Sequence, residues 1–195
     1  KSNIMATIIR SIAFKNFYNF YGDYEQNCYK FSEGLNIINA DNGMGKSKIY
    51  NGFLWVITGQ VYDSDSRAKV NASFEPLKLL SDKAKLENNV VEAGVCIVFD
   101  NNGERYTVEK RIKYTKKTPT ASTSNASDWD ISDAWVDVMC MNLSTHDSRS
   151  IYDERDKEDI VQNRLISPEM QSYALLQGEA IDQIVDLSNA KQLAH

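Results

Sequence analysis

The feature that most narrows what this chain can fold into lies between residues 35 and 58. An apolar run, Leu35-Asn36-Ile37-Ile38-Asn39, leads directly into Ala40-Asp41-Asn42-Gly43-Met44-Gly45-Lys46-Ser47. Residues 48–58 follow, with Ile49, Phe53, Val56 and Ile57 recurring at helical spacing. Strand, glycine loop and helix are therefore consecutive. The loop fits the phosphate-cradling pattern G-x-x-x-x-G-K-[ST], with Ala40 in place of the first glycine. Such a loop turns successive backbone N–H groups inward toward phosphate oxygens, so the chain must curl where side chains would collide. Gly43 and Gly45 permit the curl, and the start of the helix adds positive potential. From the first helical turn Lys46 would reach the β- and γ-phosphates, and the Ser47 hydroxyl would ligate Mg²⁺. The expected nucleotide-binding set is Asn42, Gly43, Met44, Gly45, Lys46, Ser47 and Lys48, with ATP and Mg²⁺ as cofactors. A chance Gly-Lys-Ser turn would need neither the apolar strand before it nor the amphipathic helix after it.

Around this core the pattern is α/β. Residues 8–14 are β-branched and strand-like, and residues 28–31 offer a second short strand after an aromatic, turn-rich stretch. Gly59 is a natural helix stop, and the polar residues 62–72 read as loop. Residues 90–99 and 106–114 flank Asp100-Asn101-Asn102-Gly103, whose Asn-Gly favours the positive backbone angles of a tight hairpin turn. Residues 115–130, rich in Ser, Thr and Lys with Pro119, read as a mobile excursion. Residues 153–165 read as helix ahead of Pro168, and Tyr173-Ala174-Leu175-Leu176 as a short buried strand before Gln177.

Composition excludes several classes. With 42% hydrophobic and 25% charged residues over 195, the chain can bury a core, which rules out a collagen-like or wholly disordered polypeptide. The net charge of −5 means that any nucleic-acid contact must come from a local basic patch. Cys28, Cys96 and Cys140 are odd in number and lack CxxC spacing, which disfavours a disulfide framework or a zinc site. No apolar stretch approaches the ~20 residues of a membrane helix. The expectation is a cytoplasmic protein with reduced thiols and no membrane partner, nucleoid-associated if bacterial. Met5 reads as a natural start, with Lys1 to Ile4 as added residues ahead of it.

A family resemblance rests on these motifs. Asn42-Gly43-Met44-Gly45-Lys46-Ser47 resembles the N-G-x-G-K-S loop of the ABC-type ATPase heads of SMC proteins and RecF- and RecN-like proteins. Phe14-Lys15-Asn16-Phe17, followed by Phe20-Tyr21-Gly22, resembles the N-terminal strand and turn of that group, and Glu33-Gly34-Leu35-Asn36-Ile37-Ile38 its strand into the P-loop. Leu175-Leu176-Gln177-Gly178-Glu179 is similar to its Q-loop. Residues 168–173 look like the version in DNA-sulfur-modification ATPases and SMC-like anti-phage proteins.

The resemblance implies a P-loop NTPase of ABC-head type, its N-terminal lobe over residues 8–187, with a mixed core sheet and an antiparallel sheet. Residues 1–7 precede the lobe, and residues 188–195 begin a coiled coil or end a truncated chain. Gln177 would join the Mg²⁺ shell and share the catalytic role with Lys46, its neutral amide engaging and releasing as the γ-phosphate comes and goes. Read alone, it is an ordinary loop glutamine. No signature motif, Walker B acid pair or switch histidine is found, so the resemblance implies a C-terminal lobe of the same ATPase as partner. It also implies a second head in an ATP-dependent dimer, DNA, and an accessory nuclease or effector subunit. The open alternatives are a nucleotide-gated assembly module with slow hydrolysis and an unrelated compact P-loop NTPase.

Other candidates have plainer readings. Lys110, Arg111, Lys113, Lys116 and Lys117 form the one concentrated basic stretch, read either as lysines guarding a strand edge or, through Lys113, Lys116 and Lys117, as a DNA contact. Glu154, Asp156, Glu158 and Asp159 read as a solvated helix face rather than a metal site. Trp129, Trp135, Tyr18 and Tyr21 read as core or lobe-interface residues.

Overall fold

The structure is a computed structural model that describes residues 7–34, 36–37 and 45–167. The expected strand at residues 173–176, the Q-loop and most of residues 35–44 lie outside the described residues.

Alternation of buried and half-buried residues builds the main sheet. In β5 (Val90–Asn101), Val91, Ala93, Val95, Ile97 and Phe99 turn to the core, and in β6 (Glu104–Lys116) Tyr106, Val108, Ile112 and Tyr114 do the same. The two strands pair antiparallel from Val90↔Thr115 to Asn101↔Glu104, closed by Asn102 at φ 51 and Gly103 at φ 80. The hairpin read from Asn-Gly is thus present, with longer legs.

Among the described residues five further strands join it. They are β1 (Ile8–Lys15), β2 (Cys28–Lys30), β7 (Trp129–Ile131), β8 (Trp135–Asn142) and β9 (Ser148–Ile151). The order is β2-β1-β5-β6-β8-β9, with β7 also beside β6, and every pairing is antiparallel. Among the described residues only the antiparallel part of the expected two-sheet arrangement is represented.

Among the described residues the longest helix packs on the inner face. In α1 (Lys46–Thr58) the residues Ile49, Leu54, Trp55, Val56 and Ile57 are all buried, a wider apolar surface than the stripe read from the sequence. It lies close to β1: a Cβ at Gly52 would sit 2.5 Å from Phe14 Cε1. Its other flank is covered by β3 (Gln60–Asp63) and β4 (Ala68–Asn71), a hairpin where a loop was expected. Buried Asn51 explains the difference, because its amide donates to Tyr62 O (3.1 Å) and accepts from Tyr62 N (2.8 Å), holding β3 against the helix. Side-chain contacts of this kind leave no local sequence period.

Residues 115–130 also differ from expectation. They fold into turns and β7, closed by Trp129, which is 3% exposed and donates from Nε1 to Ser122 O at 2.8 Å. After the short helix α2 (Asp82–Glu87) and the strands comes α3 (Glu154–Asp159), capped by Asp153, whose side chain accepts from Arg155 N and Asp156 N. It runs on as a π-helical turn at Ile160–Leu165, so the helix expected over 153–165 is present with its last part widened. Among the described residues no helix is long and apolar enough to cross a membrane.

Candidate functional site

The start of α1 is set by Gly45. It occupies the N-cap at φ 100, ψ 4, a left-handed conformation that glycine adopts without a Cβ penalty. Lys48 N and Ile49 N both donate to its carbonyl, at 2.9 and 3.1 Å. Lys46 and Ser47 stand in the exposed first turn, where no acidic residue competes for the positive end of the helix dipole. Asn42, Gly43 and Met44 lie outside the described residues, as does Gln177.

Against this turn packs the chain that leaves β1. Asn16 (φ 46) and Tyr18 (φ 51) adopt left-handed angles, and Asn16 holds the turn by accepting from Gly22 N through its side chain (3.0 Å) while donating to Glu92 O (3.2 Å). Phe14 and Phe20 stack at 4.3 Å between centroids, and Phe17 stacks on Trp55 of α1 at 5.5 Å. Each such pair adds ~0.5–1.5 kcal/mol beyond its burial. The stack brings the turn to Gly45, where a Cβ would meet Asn19 Nδ2 at 3.0 Å and Phe20 Cζ at 3.2 Å. The left-handed angle there favours glycine, and a Cβ would press on the Asn19 and Phe20 side chains.

Next to the first turn lies a cavity of about 380 Å³. Its wall includes Lys48, Tyr18, Tyr62, Asp63, Phe74 and Glu75, drawn from α1, the β1 turn, β3 and the 3₁₀ turns beyond β4. Lys48 Nζ lies 4.2 Å from the Tyr18 ring centroid. Burial pulls the Lys48 pKa below its ordinary value, with Asp63 acting in the opposite sense. Burial also pushes the Tyr18 hydroxyl up to about 12. Phe74, 79% exposed, presents an aromatic face to the cavity rim. Neither this cavity nor Phe74 was identified from the sequence, because its walls come from segments that no local pattern links.

The family model for the AAA domain matches residues 11–193. The chain belongs to the AAA domain family. It is therefore a P-loop NTPase domain with a nucleotide-binding, ATPase-like function, in a family that generally hydrolyses ATP and usually uses Mg²⁺. No curated protein matches the chain. Of the residues expected to hold nucleotide and metal, those described are Gly45 at the N-cap of α1 and Lys46, Ser47 and Lys48 in its first turn, with Lys46 and Ser47 exposed.

The basic stretch of the domain is not one patch. The pleat turns Lys110 and Lys116 to the inner face, where their Nζ atoms lie 5.1 Å over Trp55 and 5.4 Å over Trp129. Arg111 turns outward into ion pairs with Glu92, Glu109 and Asp137. Lys113 is exposed opposite Glu92, and Lys117 donates to Ser127 O at 2.8 Å. The edge-guarding reading is corrected here, since β6 pairs with β5 on one side and with β8 and β7 on the other. In the acidic stretch, Glu154 pairs with Lys157 and Asp159 with Arg164. Trp135 carries Arg111 over its ring, and Tyr21, 39% exposed, donates to Glu87.

Proposed function

We propose that this AAA domain is the N-terminal lobe of an SMC-like, ABC-type ATPase head. It binds ATP with Mg²⁺ at the start of α1 and hydrolyses it together with a C-terminal lobe, driving dimerisation of two heads in a DNA-associated machine of repair, maintenance or phage defence. The observation that carries this reading is the contact of the Phe14–Gly22 aromatic turn with Gly45 and Lys48. Two segments distant in sequence, each resembling the same family, meet at the phosphate end of one helix.

Roles follow from phosphoryl-transfer chemistry. Backbone N–H groups from Gly43 to Ser47 cradle the phosphates, Lys46 offsets the charge that develops on the γ-phosphate, and Ser47 with Gln177 holds Mg²⁺. The metal, when bound, neutralises β- and γ-oxygens. The cavity beside Lys48 accommodates base and ribose, with Phe74 as stacking face and Asp63 or Glu75 as acceptors for hydroxyl or amino groups. DNA contact through Lys113, Lys116 and Lys117 has less support, because Lys116 is drawn onto Trp129 and Glu92 faces Lys113.

The test is ATP binding and turnover of this chain alone and joined to its C-terminal lobe, with and without duplex DNA. Binding lost in Lys46→Ala, turnover only with the second lobe, and stimulation by DNA support the reading. Gln177→Ala is expected to spare affinity and impair dimerisation or turnover. Turnover by this chain alone would instead mark a compact P-loop enzyme, and slow, DNA-insensitive turnover with partner recruitment a nucleotide-gated assembly module.

A further inference from the structure

The far end of α1 is held as deliberately as its phosphate end. Its last carbonyls accept from three side chains: Leu54 O from Thr58 Oγ1 at 2.7 Å, Trp55 O from Lys110 Nζ at 2.8 Å, and Ile57 O from Gln162 Nε2. Helix C-termini leave carbonyls without intrahelical partners, so some acceptance is expected. What distinguishes this end is the origin of the donors. Thr58 is local and Lys110 comes from the interior strand β6, but Gln162 comes from the π-helical turn that follows α3.

That turn is anchored on its other side. Arg164 Nη1 donates to the Tyr106 hydroxyl at 2.7 Å and Nε to Asp159 at 2.9 Å, while Arg164 O accepts from Thr7 Oγ1 at 2.7 Å. Ile160, Val161 and Leu165 are buried beneath it. Turns with i→i+5 bonds are rare and are frequently found at functional sites. Here the widened turn lets the apolar residues bury while Gln162 faces the α1 terminus. A cavity of about 400 Å³, walled by Thr58, Lys110, Val136, Lys157 and Gln162, surrounds this contact. Room therefore exists for small relative movement, and both Ile57 and Gln162 line it.

We infer that Gln162 is a positioning residue through which nucleotide occupancy at the first turn of α1 is transmitted to residues 160–167, the segment that runs on in sequence toward Gln177. This rests on the proposed ATP site. A helix moves as a stiff rod, so a shift at Gly45 on phosphate binding displaces the Ile57 carbonyl, and the Gln162 amide follows it.

The experiment uses the full-length ATPase with both lobes, as wild type, Gln162→Ala, Gln162→Glu and Gln162→Lys. Four readouts are taken: ATP affinity, kcat, thermal midpoint, and amide hydrogen exchange over residues 154–167 with and without a non-hydrolysable ATP analogue. In the wild type the analogue should slow exchange in 160–167. In Gln162→Ala that slowing should disappear and kcat fall about tenfold, with affinity within about twofold. Gln162→Glu, which lacks the donor and adds a negative charge at a helix C-terminus, should lose more, and Gln162→Lys, which restores a donor, should recover most of both. A Gln162→Ala protein with a lower thermal midpoint but an intact nucleotide response overturns the inference and leaves a structural cap. So does a wild type whose exchange is unmoved although it binds the analogue. A wild type that binds no nucleotide fails at the ATP site itself and takes the inference with it.

Discussion

Lys48 lies over the ring of Tyr18, its Nζ 4.2 Å from the centroid, and the pair joins the first turns of α1 to the aromatic turn after β1. The contact is half-buried, so the cation–π attraction lies between the ~0.5–1 kcal/mol of exposed pairs and the ~2 kcal/mol of desolvated ones. Removing the ring frees Lys48 from the cavity wall. Tyr18→Leu is expected to weaken ATP binding about three- to tenfold by titration calorimetry, and Tyr18→Phe to stay near wild type. Equal losses in both would transfer the role from the ring to the hydroxyl.

Gly45→Ala should damage fold and site together. The residue sits at φ 100 with neighbours 3.0 and 3.2 Å from a Cβ, and a strained backbone position of this kind costs about 1–3 kcal/mol. Gly103, at φ 80, has open space around its Cβ position. Gly103→Ala should therefore show a smaller drop in urea denaturation and unchanged ATP affinity. Matching losses of affinity in the two variants would remove the special place of Gly45.

Phe74 offers a cleaner separation of binding from stability. Being 79% exposed, it contributes little to the core, so Phe74→Ala should leave the thermal midpoint almost unchanged. If the base stacks on it, affinity should drop about 5- to 160-fold, the range that corresponds to ~1–3 kcal/mol per stacked base. Unaltered affinity for ATP would move the base to another wall.

Lys110 predicts a pH dependence. Burial pulls its pKa from about 10.5 down to about 8, so between those values the unfolded chain binds more protons than the folded one. Stability from this group is least below about pH 8 and rises as pH climbs toward 10.5. Lys110→Met removes the titrating group, and Trp55 O keeps its bond from Gly59 N at 2.9 Å. The difference in thermal midpoint between wild type and Lys110→Met should shift in favour of wild type across that window. A constant difference would show that Lys110 titrates normally.

Short-range patterns were legible in the sequence because backbone angles answer to neighbouring residues. Asn-Gly at 102–103 set the hairpin turn, Gly45-Lys46-Ser47 the start of α1, and Gly59, at φ 72, its end. For the same reason Asp153 was readable as the start of the helix that follows it. The resemblance located the aromatic turn, though not what it touches.

Pairing and packing partners were not legible, since they depend on residues far along the chain. Only the assembled sheet puts β6 between β5 and the β7–β8 side, splitting its basic residues between two faces and giving Lys110 to the end of α1. The β3–β4 pairing and the buried amide of Asn51 hold residues 60–71 as a hairpin against α1, and that hairpin builds part of the wall of the cavity that both Phe74 and Lys48 line. The amino-acid order by itself decided where the chain turns and where α1 begins and ends. The tertiary structure decided what stands around the start of α1, because strand order and side-chain burial are settled by long-range contacts that leave no period in the sequence.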